Sequence, residues 1–160
     1  MIREIKLEDA PQVCEIYNYY IENTTITFEE DPITLQEMRE RVVHITQKYP
    51  WFVEEESGII IGYTYANRWK ERSAYRFTVE TSVYVRDAYR GRGIGTRLME
   101  RLLSYLKEAN IHTVIAGISL PNESSVRLHE KLGFQWIAQF PEVGYKFGRW
   151  LDVGYWFCRL

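Results

Sequence analysis

The amino-acid sequence predicts a mixed α/β sheet with helices on both faces. Three observations carry this. Segments of period-two alternation and segments of helical periodicity follow one another in the order β-α-α-β-β-β-α-β-α-β-β. The middle of the chain reads as a hairpin meander, while two later helices are crossovers between strands. A chain of 160 residues, 46% of them hydrophobic, is long enough to bury a core and short enough for one domain over residues 1–160.

The elements follow in order. Ile2 to Leu7 alternates and reads as a strand. Glu8-Asp9-Ala10-Pro11 starts a helix, with Asp9 as cap, Pro11 in the first turn, and an apolar face of Val13, Ile16, Tyr17, Tyr20 and Ile21. Residues Asn23 to Pro32 are polar and acidic and form a loop. Thr34 caps a second helix that runs to about Lys48. Trp51 to Glu56, Ser57-Gly58 and Ile59 to Asn67 read as strand, turn, strand. After a charged loop, Arg76 to Arg86 alternates as a long strand. Arg90 to Gly95 is a Gly-rich loop, and the helix behind it places Ile94, Leu98, Leu102, Leu103 and Leu106 at helical spacing. Thr113 to Ile118 is a buried strand, Leu120-Pro121-Asn122 turns into a helix ending before Gly133, and two strands meet around Lys146-Phe147-Gly148.

Composition removes several functional classes. The formal net charge is −2 with scattered basic residues, which speaks against a nucleic-acid or anionic-membrane surface. Cys14 and Cys158 are far apart and show neither metal spacing nor a disulfide framework, so no metal is expected and a reducing, cytoplasmic compartment is the default. The charged start Met1-Ile2-Arg3-Glu4 does not read as a signal peptide, and no apolar run reaches membrane-spanning length.

The sharpest motif is Arg90-Gly91-Arg92-Gly93-Ile94-Gly95, between a strand and an amphipathic helix. Glycines let backbone approach a ligand closely, and the helix start offers unpaired N–H groups and a positive dipole end. Arg90, Arg92 and Arg97 add charge, so pyrophosphate is the natural guest. The loop lacks the Gly-Lys-Ser/Thr of a Walker loop. It also departs in spacing and place from a dinucleotide fingerprint. On its own it leaves a second reading open, a Gly-rich turn that binds nothing.

Arg90 to Gly95, preceded by Ser82-Val83-Tyr84-Val85, resembles the acetyl-CoA loop of the GNAT acetyltransferase superfamily. Asn122 to Phe134 is similar to that superfamily's Asn-x-x-Ala-x-x-x-Tyr-x-x-x-Gly-Phe element, with Ser125 and His129 at its Ala and Tyr places. A narrower likeness covers nearly the whole chain. Tyr17-Asn18, Phe28-Glu29, Gly62-Tyr63, Ala74-Tyr75, Thr78-Val79-Glu80, Leu120-Pro121-Asn122, Leu128-His129-Glu130 and Gly148 to Val153 resemble the phosphinothricin acetyltransferase family. This resemblance implies the GNAT fold, with a mixed, mostly antiparallel central sheet. It implies acetyl-CoA as donor, a homodimer, and acceptors such as phosphinothricin, methionine sulfoximine or methionine sulfone. It also implies a donor site of Val83, Val85, Arg90, Gly91, Arg92, Gly93, Ile94, Gly95, Thr96, Asn122 and Ser125, with pantetheine lying beside Ser82 to Arg86 like an extra strand.

Acyl transfer to an amine needs a base, an oxyanion site and a proton for the leaving thiolate. Glu80 is the base candidate, because acids are rare in mid-strand and a half-buried carboxylate has a raised pKa. The opposing reading is an edge-strand acid or a salt bridge to Arg72 or Arg76, and the resemblance favours the base. His129 is either a proton donor or orienting group near the sulfur, or a core histidine. Tyr105 is a rival acid whose place beside Leu106 speaks for packing. Asn122 is an N-cap, a pantetheine contact, or both, and Ser125 is similarly first-turn filler or a CoA contact. The N–H of Val85 or a neighbour is the oxyanion candidate. Phe28, Arg72 and Tyr75 are the substrate-binding candidates beside Glu80, with Arg76, Lys146 and Trp150 as further possibilities. A protein or peptide acceptor, and a CoA-binding module without catalysis, are the competing readings.

Overall fold

The computed structural model describes residues 1–160. Seven strands form one sheet: β1 (Ile2–Glu4), β2 (Trp51–Glu56), β3 (Ile59–Arg68), β4 (Thr78–Val85), β5 (Thr113–Leu120), β6 (Gln135–Lys146) and β7 (Arg149–Arg159), in the spatial order β1-β2-β3-β4-β5-β7-β6. Four helices accompany it: α1 (Ala10–Asn23), α2 (Leu35–Thr46), α3 (Ile94–Glu108) and α4 (Glu123–Lys131). The order of elements is the one the periodicities predict. Every strand pair is antiparallel except β4 with β5.

The helices divide between the two faces. Helices α1 and α2 bury Val13, Ile16, Tyr17, Tyr20, Ile21, Met38, Val42 and Ile45 against Val53, Ile60 and Tyr63. Helix α3 buries Ile94, Leu98, Met99, Leu102 and Leu106 against Val79, Val114, Ala116 and Ile118 on the other face. The alternation along β4 explains how one strand serves both. Val79, Val83 and Val85 pack with the α3 cluster, whereas Tyr84 packs with the α1 cluster. Tyr105 lies edge-on to Phe52, the packing role that its position predicts.

Several boundaries differ from the sequence reading. The first strand stops at Glu4 because Asp9 is spent elsewhere. Its carboxylate takes the Arg3 guanidinium through two bonds of 2.7 and 2.8 Å and the Lys6 N–H at 2.8 Å, so it closes a short 3-10 turn instead of capping α1. Thr34 does cap α2: its hydroxyl accepts from the Glu37 N–H, and the Glu37 carboxylate accepts from the Thr34 N–H. That helix ends at Thr46, before Lys48. Strand β4 begins at Thr78, because Ser73 to Tyr75 forms a 3-10 turn whose Ser73 carbonyl accepts from the Arg76 N–H and side chain.

The feature that positions the site is the short pairing of β4 with β5. Only Thr78–Thr113, Val79–Val114 and Glu80–Ile115 are matched. Beyond them β4 continues along β3 and β5 along β7, and the two strands part. The result is a wedge in mid-sheet, open towards the start of α3 and the start of α4.

The wedge stands on α3, so its packing is the mechanical support of the site. Leu102 is fully buried beneath the sheet. Leu102→Ala is expected to cost about 2–5 kcal/mol of stability. Urea unfolding checks this: an unchanged midpoint would mean that α3 does not anchor the sheet.

Candidate active site

Gly93 ends the loop after β4 with φ 72, a left-handed conformation that glycine adopts without strain, and it is the N-cap of α3. It supplies no capping side chain. Its carbonyl accepts the first helical bond, from Arg97 N–H at 3.1 Å. The N–H groups of Ile94, Gly95 and Thr96 therefore start the helix without intrahelical partners, at the positive end of its dipole. They face a cleft of about 390 Å³ lined also by Val83, Val85, Arg90, Gly91, Asn122 and Ser125. The opposite wall is α4, and a Cβ on Gly95 would come 2.7 Å from Leu128 Cδ1, so this glycine lets the two helices close on each other.

Of the donor residues expected from sequence, Arg92 alone does not line this cleft. Its guanidinium turns to Glu56 at 2.8 Å and lies over Tyr89. The other loop arginines are also paired. Arg90 meets Asp87 at 3.2 Å and stacks on Tyr20, and Arg97 meets the nearly buried Glu54 at 2.6 Å. Within the loop, the donors left without partners are therefore the backbone N–H groups, and Lys131 of α4, which makes no ion pair, faces the same cleft. Sequence reasoning missed Tyr20, Ile26 and Lys131 in the lining. Tyr20 also donates to the Val85 carbonyl at 2.5 Å, a contact across 65 residues that no local pattern signals.

Inside the wedge lies a smaller cavity of about 60 Å³ between Thr81–Tyr84 and Ala116–Ser119, closed by Ile26, Asn122, Ser125 and His129. Two hydroxyls that line it, Thr81 Oγ1 and Ser119 Oγ, are buried without a hydrogen-bond partner. Asn122 caps α4 through Ser125 N–H at 3.2 Å, so its capping role is present and its cavity-lining role is compatible with it. His129 is buried, with Nδ1 2.7 Å from the Ser125 carbonyl and the ring edge-on to Phe134. A carbonyl only accepts, so the proton sits on Nδ1 and Nε2 keeps its lone pair. Burial lowers the His129 pKa, and the Ser125 carbonyl opposes this. The imidazole is therefore a neutral acceptor at neutral pH, and it can donate from Nε2 only after first taking up a proton.

Glu80 stands where β4 and β5 part. It makes no ion pair and no hydrogen bond to another side chain, and burial raises its pKa against a small opposing effect of Lys70. Neither Arg72 nor Arg76 bridges to it. Arg76 folds back on Ser73 and lies over Phe77. Space for the carboxylate comes from Gly117 on β5, where a Cβ would meet Glu80 Oε1 at 3.4 Å and Tyr155 Cε1 at 3.1 Å. Tyr155 stands edge-on to both Trp69 and Phe140, which makes an aromatic wall beside Glu80. The sequence places Tyr155 in an aromatic run, Trp150 to Phe157, that reads as a lid on a small pocket, but its place beside Glu80 depends on the β5–β7 register, which pairs it with Gly117.

The expected acceptor residues are more peripheral. Phe28, Arg72 and Tyr75 are exposed, and none lines the cleft or the wedge cavity. Lys146 points inward to the Thr27 carbonyl at 2.8 Å, so it is a buried structural cation in place of an exposed ligand-binding one. Trp150 is exposed and packs against Tyr145.

Residues 2–154 match the family model described as an acetyltransferase (GNAT) domain. The chain belongs to the GNAT acetyltransferase family. Among GNAT relatives, the phosphinothricin N-acetyltransferase of Streptomyces viridochromogenes is 41% identical, over 97% of this chain and 85% of the relative. The L-methionine sulfoximine/L-methionine sulfone acetyltransferase of Salmonella typhimurium is 37% identical, over 95% and 90%. The crystal structure of a GNAT phosphinothricin acetyltransferase from Sinorhizobium meliloti in complex with AcCoA superposes with a TM-score of 0.97 at 36% identity, covering all of this chain and 88% of that one. The acetyltransferase therefore has the GNAT fold, with a mostly antiparallel sheet.

The Glu80 environment has a consequence for stability. A carboxyl whose folded pKa lies above its unfolded value lowers stability as pH rises past the unfolded value, because the folded state holds the proton longer. Glu80→Gln removes that penalty. The variant should melt above the wild type at pH 7 and converge with it near pH 4. A variant that melts below the wild type at pH 7 would show that the carboxylate has a stabilising partner.

Proposed function

We propose that this enzyme transfers the acetyl group of acetyl-CoA directly to the α-amino group of a small amino-acid-like acceptor of the phosphinothricin, methionine sulfoximine or methionine sulfone type. One observation carries the reading. An unpartnered carboxylate of raised pKa, Glu80, stands at the apex of a wedge whose open end leads to the start of α3.

The donor site fits CoA on three counts. The N–H groups of Ile94, Gly95 and Thr96 suit the pyrophosphate. The β4 edge past Glu80 lacks a β5 partner, which leaves Val83 and Val85 for an extended pantetheine arm, with Asn122 and Ser125 across from it. The orphan hydroxyls of Thr81 and Ser119 await polar company in the wedge. Acetyl-CoA supplies the acyl group and a thiol leaving group.

The protons then balance. Glu80 takes one proton from the acceptor ammonium, directly or through water. The freed amine attacks the thioester carbon, and a β4 N–H such as that of Val85 steadies the oxyanion. Neutral His129 takes the second proton from the tetrahedral nitrogen at Nε2 and returns it to the departing sulfur. A thiol pKa of about 8.5 means that this step needs little help. Arg72, which has no carboxylate partner, takes the acceptor carboxylate, and Phe28 and Tyr75 wall its side chain.

The enzyme acts as a single-domain protomer of a homodimer. Exposed Trp136, Ile137, Phe140, Val143, Tyr145, Phe147 and Trp150 on the β6–β7 hairpin support self-association. Two unpaired thiols and a near-neutral charge support a cytoplasmic place without nucleic-acid or membrane partners. No helix is long and apolar enough to cross a membrane.

Steady-state kinetics test the acceptor. Methionine sulfone should far outperform its carboxylate-free amine analogue and a histone-tail peptide. Equal efficiency for all three would exclude carboxylate recognition and favour a protein acceptor, and no thiol release with any amine would favour a binding module.

The base has its own test. Glu80→Gln should lower turnover on the order of 10²–10⁴-fold with little change in acetyl-CoA affinity. In the wild type, kcat/KM should fall as pH drops through a pKa above the ordinary carboxylate range, and this limb should vanish in the variant. Near-normal turnover of the variant at neutral pH would remove Glu80 from the mechanism.

A further inference from the structure

The connection between α1 and α2 is held from two opposite sides. On the helix side, the Tyr17 hydroxyl bonds Thr27 Oγ1 at 2.9 Å and also reaches Glu29, while Arg41 grips both Glu29 oxygens at 2.5 and 2.8 Å. From the far edge of the sheet comes β6. That strand is largely exposed, and its only buried residues are Gly144 and Lys146. Two positions apart on one strand, they share a face, and both meet the α1–α2 connection. Lys146 Nζ donates to the Thr27 carbonyl at 2.8 Å. The Phe28 ring lies so close on Gly144 that any Cβ there would collide with it.

Lys146 is an expensive choice for this position. It is 1% exposed, makes no ion pair within 4 Å, and has one hydrogen bond, to a neutral carbonyl. Burial lowers its pKa, with Glu30 and Glu29 opposing from a distance. Lysine is almost never so buried unless paired, and an apolar side chain of similar length avoids the desolvation cost. The ammonium fixes one backbone carbonyl and otherwise lies only over the Phe147 ring, 5.0 Å from its centre. On one side of Thr27, Ile26 lines both the donor cleft and the wedge cavity, where the two meet. On the other side, Phe28 rests on Gly144.

We propose that Lys146 is a positioning residue for the acceptor. By holding the Thr27 carbonyl it sets Ile26 at the junction of cleft and wedge and Phe28 on β6, so that the C-terminal hairpin and the α1–α2 connection form one wall of the acceptor pocket. The proposal rests on the reading that a small amine attacks within the wedge.

Two variants test it, on whichever amine the wild type acetylates best. Lys146→Met keeps the length and removes the ammonium. Gly144→Ala displaces Phe28 from the opposite side without touching the lysine. Each should lower acceptor kcat/KM on the order of tenfold or more, chiefly through acceptor KM, because small misplacements at a reacting centre are costly. The KM for acetyl-CoA should change several-fold less than that for the acceptor, since the α3 start is untouched and Ile26 is the one donor-cleft residue that the Thr27 carbonyl positions. The ranking among amines of different size should also change, which a loss of folded protein alone would not produce. Wild-type acceptor kinetics in both folded variants would overturn the proposal, as would equal losses for donor and acceptor. If Lys146→Met does not fold, Gly144→Ala decides alone. A wild type that acetylates only peptides would count against the proposed substrate class and leave this test intact on the peptide.

Discussion

Everything at the site depends on β4 and β5 pairing for three residues and then separating. Parallel neighbours in a sheet normally satisfy each other's backbone along their length. Here the ladder stops at Glu80–Ile115, and the backbone groups beyond it become a surface that an extended ligand can pair with. The same parting makes room for α4 to bring Asn122, Ser125 and His129 to the cavity. It also leaves Glu80 half-buried with no partner, which keeps its proton affinity high. Fold and chemistry share one cause.

The electrostatics of the donor cleft follow a division of labour. Each arginine in and after the glycine loop has its own carboxylate: Arg90 with Asp87, Arg92 with Glu56, Arg97 with Glu54. The first of these pairs is local to the loop, and the other two dock the loop and the start of α3 on β2. The groups left free to meet an anion are the backbone N–H groups at the start of α3, which are preorganised, and Lys131 across the cleft, which makes no ion pair. A cleft built this way needs glycines at fixed places more than it needs a high density of free cations.

Much of this was legible in the sequence because it is local. The Thr34 and Glu37 capping pair, the apolar stripes of α1 and α3 and the alternation of β4 all depend on residues a few positions apart. So does the glycine spacing before α3, and a carboxylate in mid-strand marks itself. What could not be read is set by register and tertiary pairing. Asp9 looks like a helix cap until Arg3 claims it. Arg92 looks like a phosphate ligand until Glu56 turns it away. Lys146 looks like a surface cation, because nothing local says that the α1–α2 connection folds down over β6. Tyr155 acquires its place beside Glu80 only through the pairing of β7 with Gly117.

The absence of a side chain at Gly117 reaches beyond packing. A Cβ there would come 3.1 Å from Tyr155 Cε1 and 3.4 Å from Glu80 Oε1, so its neighbours would have to give by a few tenths of an ångström, and the floor between Glu80 and Tyr155 is bare backbone. A floor of this kind sets the depth of the chamber by the thickness of a β-strand. Trp69 and Phe140 stand against Tyr155 above this floor, where side chains can vary in size more freely than at Gly117. On the proposed reading, a change of acceptor then calls for new walls around Glu80 and leaves the backbone floor beneath it as it is.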